Sequence, residues 1–141
     1  MNILIINGPN LNLLGKRKPE IYGYETLEDI NNWLLKSTET TKCNIKFFQS
    51  NHEGEIIDTL HESCNSVNCV LINAGAYTHY SIAIRDAIEA INIPVIEIHL
   101  SDISRREVFR QKSVIEDVCI KTFAGLGKQS YLEGIKYFMK L

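Results

Sequence analysis

The chain has 141 residues, of which 45% are hydrophobic and 23% charged, and its formal net charge is −2. This length is enough for one domain with a substantial core, and the composition is that of an ordinary globular protein. A slight negative charge without a long basic run argues against nucleic acid or a membrane surface as a partner, and no apolar run approaches the ~20 residues of a membrane span. We therefore expect a single domain over residues 1–141.

The four cysteines, Cys43, Cys64, Cys69 and Cys119, are scattered and form no C-x-x-C pair. Histidines at zinc-finger spacing are also missing from the sequence around them, so we expect no structural metal. Reduced thiols are typical of a cytoplasmic protein, and the sequence shows no basic leader of the kind that starts a signal peptide. We expect a cytoplasmic location.

Strand-like and helical patterns alternate along the chain. In chain order they predict a strand at Ile3–Asn7, a helix at Thr26–Thr38, a strand at Asn44–Gln49, a helix at Glu53–Cys64, a strand at Cys69–Asn73, a helix at Thr78–Asn92, a strand at Pro94–Ile98, a weaker fifth strand at Asp117–Lys121, and a helix at Ser130–Lys140. Thr26 with Asp29 imitates a capping box, and Thr78 is a candidate N-cap. In the helix that Thr78 would begin, we expect Ile82 to face inward with the other apolar side chains.

This alternation predicts an α/β fold, a parallel sheet with helices on both faces. Five strands favour a flavodoxin-like three-layer sandwich with the strand order 2-1-3-4-5. In such sheets a ligand binds beyond the carboxyl ends of the strands, where the winding direction reverses, and here that point lies between strands one and three. The segments that follow these two strands, Asn7–Asn10 and Asn73–Ala76, are polar and contain glycine. We expect the site there.

A long polar segment, Asn7–Tyr24, separates the first strand from the first helix. Connections in α/β units usually take ~2–6 residues, and much longer ones are often binding loops or lids. This segment carries amides, a guanidinium and a phenol, and its glycines and prolines shape the backbone. We therefore predict an active-site lid at about residues 8–25.

Two residue pairs are candidates for proton transfer. Tyr22 follows Arg17 by five residues, and a nearby guanidinium lowers the pKa of a phenol and makes it a better base. Glu97 and His99 are two residues apart at the end of the fourth strand, so they share one face, and a carboxylate that orients a histidine is a common general acid or base. A surface tyrosine with an unrelated arginine, and a purely structural His–Glu pair, remain open alternatives.

The residues after the fourth strand are suited to an anion. Backbone amides of Leu100 and Ser101 leave the strand at the predicted crevice, and the serine adds a hydroxyl. Arg105, Arg106 and Arg110 follow, and since arginine-rich turns are more often solvated, we expect only one of the three to bind the anion.

His79 and Asp86 are seven residues apart in the predicted third helix, so we expect them on one face, as binding residues or as a solvated surface pair. The sequence contains no pattern for a metal site, a phosphate-binding P-loop or a dinucleotide fingerprint.

Five blocks, in order, resemble the type II 3-dehydroquinate dehydratases over nearly all of the chain. They are G-P-N-L-N-L-L-G (Gly8–Gly15) with Arg17, Pro19 and Tyr22-Gly23, then Gln49–Gly54, Ile72–His79, Glu97–Ser101 and Arg106–Arg110. The resemblance implies a cofactor-free lyase that removes water from 3-dehydroquinate to give 3-dehydroshikimate, by an anti elimination through an enolate.

The resemblance also implies a role for each matching residue. Tyr22 is the base, Arg17 stabilises its phenolate, Asn12 holds a water at the enolate oxygen, His99 is the acid, and Glu97 orients His99. The residues implied to bind substrate are Asn73, His79, Asp86, Leu100, Ser101 and Arg110. Of these, Asp86 resembles a residue that reaches in from a neighbouring subunit, and the usual assembly of the family is a dodecamer built as a tetramer of trimers.

Some positions depart from the family pattern. Lys18 stands where an acidic residue is more common, Asp102 where asparagine is common, and Gln111-Lys112 where histidine is favoured. None of these is a predicted catalytic group, but Lys18 puts the closure of the lid and the setting of Arg17 in question.

The alternative from another class is a non-catalytic flavodoxin-like module that binds small polyhydroxy acids. A phosphorylation receiver would have acidic residues where this chain has Asn7 and Asn73, and an FMN carrier would have a Ser/Thr-rich loop after the first strand. A degenerate homologue that binds quinate-like acids without turnover is disfavoured by the intact Arg17, Tyr22 and His99.

Overall fold

The computed structural model describes residues 1–141, with the exception of the side chain of Tyr22. Its strands are β1 (Asn2–Asn7), β2 (Asn44–Gln49), β3 (Cys69–Asn73), β4 (Val95–Ile98) and β5 (Lys121–Phe123). Its helices are α1 (Pro19–Tyr22), α2 (Leu27–Lys36), α3 (Glu53–Ser63), α4 (Ile82–Ala90) and α5 (Gln129–Met139). The strands form one parallel sheet in the order β2-β1-β3-β4-β5, which confirms the predicted order.

Two apolar cores lie on opposite faces of the sheet, because side chains alternate along each strand. On β1, Ile3 and Ile5 pack in the core that includes α2 and α5, whereas Leu4 and Ile6 pack in the core that includes α3 and α4. Full burial of an isoleucine or leucine contributes about 1.5–3 kcal/mol. The central strands are therefore held on both faces, and their carboxyl ends form a fixed edge for the site.

The start of α2 is as predicted. Thr26 Oγ1 accepts a hydrogen bond from the amide of Asp29 at 3.1 Å, and Asp29 Oδ2 accepts one from the amide of Thr26 at 3.0 Å. This reciprocal pair is a capping box, which satisfies two amides that a helix otherwise leaves without acceptors.

The predicted start of the next-to-last helix is wrong. Thr78 lies in a short 3-10 turn, Gly75–His79, and α4 is capped by Ser81, whose hydroxyl accepts from the amide of Ile84 at 3.0 Å. Ile82 is then the first residue of the helix and is 55% exposed, against the expectation that it faces inward. Thr78 therefore does not cap α4, and it is fully buried.

The fifth strand was also predicted too early. The segment Asp117–Lys121 contains part of a 3-10 turn, Glu116–Val118, and β5 begins only at Lys121. The turn packs its apolar residues against the α3–α4 core, so the pattern that predicted a strand reflects burial rather than extended backbone. The shift has a consequence for the site, because it sets Thr122 beside Glu97 in the β4–β5 register.

Within the described part of the chain, no helix combines the length and apolar character needed to cross a membrane.

Candidate active site

A cavity of about 160 Å³ opens beyond the carboxyl ends of the central strands, where the sequence predicts the site. Its wall is formed by Pro9, Asn10, Leu11, Arg17, Asn73, Gly75, Ala76, His79, His99, Leu100, Ser101, Ile103, Arg106 and Arg110. Three arginines and two histidines line it, and no aspartate or glutamate is among these described residues. The cavity is therefore suited to a small anion. Among the described side chains, no group of three or more His, Cys, Asp or Glu could hold a metal ion.

Asn73, in the cavity wall at the end of β3, is linked through Tyr131 to Asn7 at the end of β1. Asn7 and Asn73 are register partners, and Tyr131 from α5 donates its hydroxyl proton to Asn7 Oδ1. Burial raises the pKa of Tyr131, so the phenol keeps that proton. Asn73 Nδ2 donates to the Tyr131 hydroxyl at 3.3 Å, while Asn73 Oδ1 accepts from the amide of Gly75 at 3.2 Å. These bonds fix the orientation of Asn73 in the wall.

His99 and Glu97 form a buried pair, as their spacing predicts. His99 Nε2 lies 2.6 Å from Glu97 Oε1, and Glu97 is fully buried. Burial alone would raise the pKa of Glu97, but the bond from His99 and those from Thr78 and Ser113 outweigh it, so the pKa is lowered. Glu97 is thus a carboxylate at neutral pH and accepts from Nε2–H of His99, so Nδ1 is the ring nitrogen that Glu97 does not engage.

His79 lies in the same wall, and a backbone carbonyl holds its ring in place. Its Nδ1 is 2.8 Å from the carbonyl oxygen of Lys112, to which it donates. Burial lowers the pKa of His79, and the nearby charges of His99, Arg110 and Arg106 act in the same direction, although the bond to Lys112 opposes them. His79 is therefore neutral at pH 7, and its Nε2 can accept a hydrogen bond from a hydroxyl.

Three arginines reach the cavity from two directions. Arg17 comes from the long segment after β1, and Arg106 and Arg110 come from the turns after β4. Arg110 Nε is fixed by Glu107 Oε2 at 2.6 Å, and Nε and Nη2 of Arg106 are buried. Arg105 is 87% exposed and does not line the cavity. Arg106 and Arg110 therefore both line the cavity, and the expectation that only one of the three arginines binds the anion stays a prediction.

The family model described as Dehydroquinase class II matches residues 1–139. The chain belongs to the class II dehydroquinase family. It is 54% identical over 135 residues to the 3-dehydroquinate dehydratase of Acaryochloris marina, which covers 96% of this chain and 91% of that relative. It is also 54% identical over 141 residues to that of Francisella philomiragia, with 97% and 96% covered.

Solved structures give the same result for the fold of this family member. The type II dehydroquinase of Butyrivibrio crossotus superposes with a TM-score of 0.95 at 43% identity, and covers 99% of this chain and 97% of that one. That of Propionibacterium acnes superposes with a TM-score of 0.94 at 35% identity and the same coverage. The three-layer flavodoxin-like architecture is thereby confirmed.

Most of the residues implied by the family resemblance meet at the cavity. Those in its wall are Arg17, Asn73, His79, His99, Leu100, Ser101 and Arg110. Glu97 lies directly behind His99. The side chain of Tyr22, the implied base, lies outside the described residues. Asn12 and Asp86 are exposed and are not part of the wall.

The prediction that His79 and Asp86 share one helix face is wrong. His79 belongs to the turn Gly75–His79 and faces the cavity, whereas Asp86 lies on α4, whose inner face is formed by apolar residues. The helix begins later than predicted, so the seven-residue spacing does not apply to these two side chains.

Asn10 and Arg106 are wall residues that sequence reasoning missed or discounted. Asn10 has a left-handed backbone, with φ of 67°, and its amide donates to Asn51 Oδ1 at 3.0 Å. Asparagine tolerates that conformation better than most residues. An asparagine directly after Gly8-Pro9 was therefore the sequence feature that could have indicated a tight turn at the site.

Proposed function

We propose that this chain is a 3-dehydroquinate dehydratase, a lyase of the shikimate pathway that converts 3-dehydroquinate to 3-dehydroshikimate and water. The observation that carries the proposal is the small, arginine-lined cavity beside a histidine that is paired with a buried carboxylate. Family membership and the names of the relatives support the same reaction.

The substrate is a carboxylate with several hydroxyls, and the wall offers partners for each group. We assign the carboxylate to the turn of Leu100 and Ser101, whose carbonyls accept from Gly127 at 3.0 Å and Gly125 at 3.1 Å and so fix the turn. The ring hydroxyls are assigned to Asn73, to the neutral His79 and to Arg110, all of which line the cavity.

Proton removal is assigned to Tyr22, with Arg17 as the cation that stabilises its phenolate. A tyrosine has an ordinary pKa near ~10, and an adjacent guanidinium favours its charged form. The base takes the proton next to the ketone, which leaves an enolate. We assign the water that stabilises the enolate oxygen to Asn12, which is exposed on the lid segment, with Asn10 nearby in the cavity wall.

Loss of the hydroxyl is assigned to His99, which gives it a proton so that water leaves and the double bond forms. Glu97 stabilises the positive charge of His99 before that transfer and holds the ring in place. At the end of the step Tyr22 carries the substrate proton and His99 has lost one. A proton transfer from Tyr22 to His99 restores the starting state, and no cofactor enters this scheme.

We assign the segment 8–25 to a lid that closes over bound substrate and excludes water. Gly15 and Gly23 have φ of +85° and +81°, a conformation that favours glycine, and they are natural hinges. Beyond the second hinge, Glu25 is held by Lys128 at 2.8 Å.

Amides between the two glycines are expected to exchange hydrogen more slowly when 3-dehydroshikimate is added, because the closed lid shields them from water. Unchanged exchange would contradict closure.

We also propose a cytoplasmic homododecamer, a tetramer of trimers. Asp86 is exposed and lies outside the cavity of its own chain, as a residue that acts on a neighbouring subunit's site would. The four cysteines are free thiols, as a reducing compartment favours. A mass well below twelve subunits in light scattering would contradict this assembly.

The reaction itself is tested by incubating the purified chain with 3-dehydroquinate. The expected result is a growing ultraviolet absorbance from the conjugated enone product, unaffected by chelators or by borohydride, since no lysine imine forms. Binding of 3-dehydroquinate without any absorbance would instead indicate the non-catalytic binding module.

A further inference from the structure

Glu97 is enclosed by hydroxyl groups that no role in the reaction accounts for. Thr78 Oγ1 from the turn after β3 donates to Glu97 Oε1 at 2.5 Å, and Ser113 Oγ donates to the same oxygen at 2.7 Å. Thr122 Oγ1 from β5 donates to Oε2 at 3.3 Å. Three separate segments therefore supply donors to one buried carboxylate.

The direction of the bond from Ser113 is fixed by its other partners. Ser113 Oγ accepts from the amides of Ile115 at 3.3 Å and Glu116 at 3.1 Å. Its two acceptor positions are thereby used, and its single proton is directed to Glu97. Ser113 Oγ and Thr78 Oγ1 are 3.3 Å apart, but each sends its proton to the carboxylate.

This arrangement determines how His99 must bind. Because Thr78 and Ser113 both donate to Oε1, that oxygen acts only as an acceptor, and the ring nitrogen beside it must carry hydrogen. His99 is thus held with Nε2–H toward Glu97 at 2.6 Å. Nδ1 is the remaining position for exchanging a proton with the substrate.

The segment around Ser113 also holds the second histidine of the wall. The amide of Val114 donates to the carbonyl of Thr78 at 2.8 Å, and the carbonyl of Lys112 accepts from His79 Nδ1 at 2.8 Å. Residues 112–114 therefore brace the turn that carries His79 and Thr78 while Ser113 contacts Glu97.

We propose that Thr78 and Ser113 are positioning residues for the dehydratase reaction: acting through Glu97, their hydroxyls fix the orientation and tautomer of His99. The proposal rests on the proposed function in one respect, that His99 delivers a proton to the leaving hydroxyl. Neither hydroxyl touches the substrate in this scheme.

The pH dependence follows from the groups that face Glu97. His99 lies on the same strand, and His79, in the turn after β3, interacts with His99 electrostatically. The thiol of Cys119 faces Glu97 from the segment before β5. Burial, together with the charge of Glu97, raises the pKa of Cys119, which stays neutral. The donated hydrogen bonds lower the pKa of Glu97, so removing one raises it, and the loss of activity at low pH should begin at a higher pH.

The test compares Ser113→Ala and Thr78→Val with the wild-type chain. We expect kcat to fall about 10- to 100-fold in each, the range for losing a hydrogen bond to a charged group. KM should change little, and the acid limb of the kcat profile should move to higher pH. Ser113→Thr, which keeps the hydroxyl, should recover most of the loss.

Matched controls separate positioning from general destabilisation. Thr40 and Ser63 are buried, but their hydroxyls donate to the carbonyls of Leu34 at 2.6 Å and Leu60 at 2.8 Å. Thr40→Val and Ser63→Ala should lower the melting temperature comparably and leave the pH profile unchanged. If the Ser113 and Thr78 variants also keep the wild-type kcat and pH profile, the proposal is overturned.

A measurement without substrate keeps this inference separate from the proposed function. Nitrogen-15 NMR of the His99 ring, recorded at a pH high enough that the ring is uncharged, should show hydrogen on Nε2 in the wild-type chain and a mixture of tautomers in Ser113→Ala. An inactive wild-type chain with this tautomer would refute the dehydratase assignment alone. An active wild-type chain whose tautomer is insensitive to Ser113→Ala would refute the positioning role.

Discussion

Replacing Tyr22 with phenylalanine is expected to lower kcat by about 10²- to 10⁴-fold, the usual contribution of a general base. The change removes one oxygen and keeps the ring, so 3-dehydroquinate should still bind through the carboxylate and hydroxyl partners in the wall. Arg17 lines the cavity and remains in place, but without a phenolate it has no base to activate. The loss should therefore appear in kcat, with little change in the dissociation constant.

The matched control is Tyr24→Phe, the same substitution two residues away at a side chain that is 83% exposed. It should keep kcat and the melting temperature of the wild-type chain. Initial rates from the enone absorbance and a calorimetric titration with 3-dehydroquinate give the two quantities. Turnover at the wild-type rate in Tyr22→Phe would show that another group takes the proton.

Periodicity was sufficient to predict the fold because both cores are built from regular patterns. Ile3 and Ile5 face one core and Leu4 and Ile6 the other, as the buried run of β1 implies. The position of the cavity followed from the strand order, since it lies beyond the ends of β1 and β3. The contact between Glu97 and His99 followed from their spacing on one strand.

The contacts that join distant segments could not be predicted in this way. Ser113 and Thr122 reach Glu97 only because a loop and the edge strand β5 fold beside β4. The sequence offered no periodic signal for either. Thr78 was likewise predicted to accept from a helix amide, but its hydroxyl donates to the buried Glu97, a partner that the sequence pattern does not reveal.

Lys18 is the departure from the family pattern that the sequence left unexplained, and the structure shows its conformation and its electrostatic effect. It has a left-handed backbone, with φ of 40°, immediately before Pro19. Glu107 is the carboxylate that fixes Arg110; burial raises its pKa, but the bond from Arg110 and the charges of Arg106, Arg110 and Lys18 together lower it. Lys18 thus adds to the positive field around the cavity from the lid side.

A second large effect is expected for Gly8→Ala, in free energy of unfolding rather than in chemistry. A Cβ at Gly8 would lie 2.4 Å from the carbonyl oxygen of Ala74 and 2.6 Å from its carbonyl carbon. Both are backbone atoms, and the amide of Gly8 is also bound to the carbonyl of Asn73 at 2.7 Å, so neither chain can move away without breaking the β1–β3 edge. We expect a loss of about 3 kcal/mol or more, the upper end for overpacking.

Gly54→Ala provides the matched control, since a Cβ there meets nothing within 4 Å and the residue lies in α3. That variant should gain about 0.5–1 kcal/mol, because alanine loses less backbone entropy in a helix. Urea denaturation of both variants gives the two free energies. The Gly8 variant should also bind 3-dehydroquinate more weakly, because Asn73 follows the displaced edge. A Gly8→Ala chain with the wild-type urea midpoint would mean that the cavity does not depend on the close approach of β1 and β3.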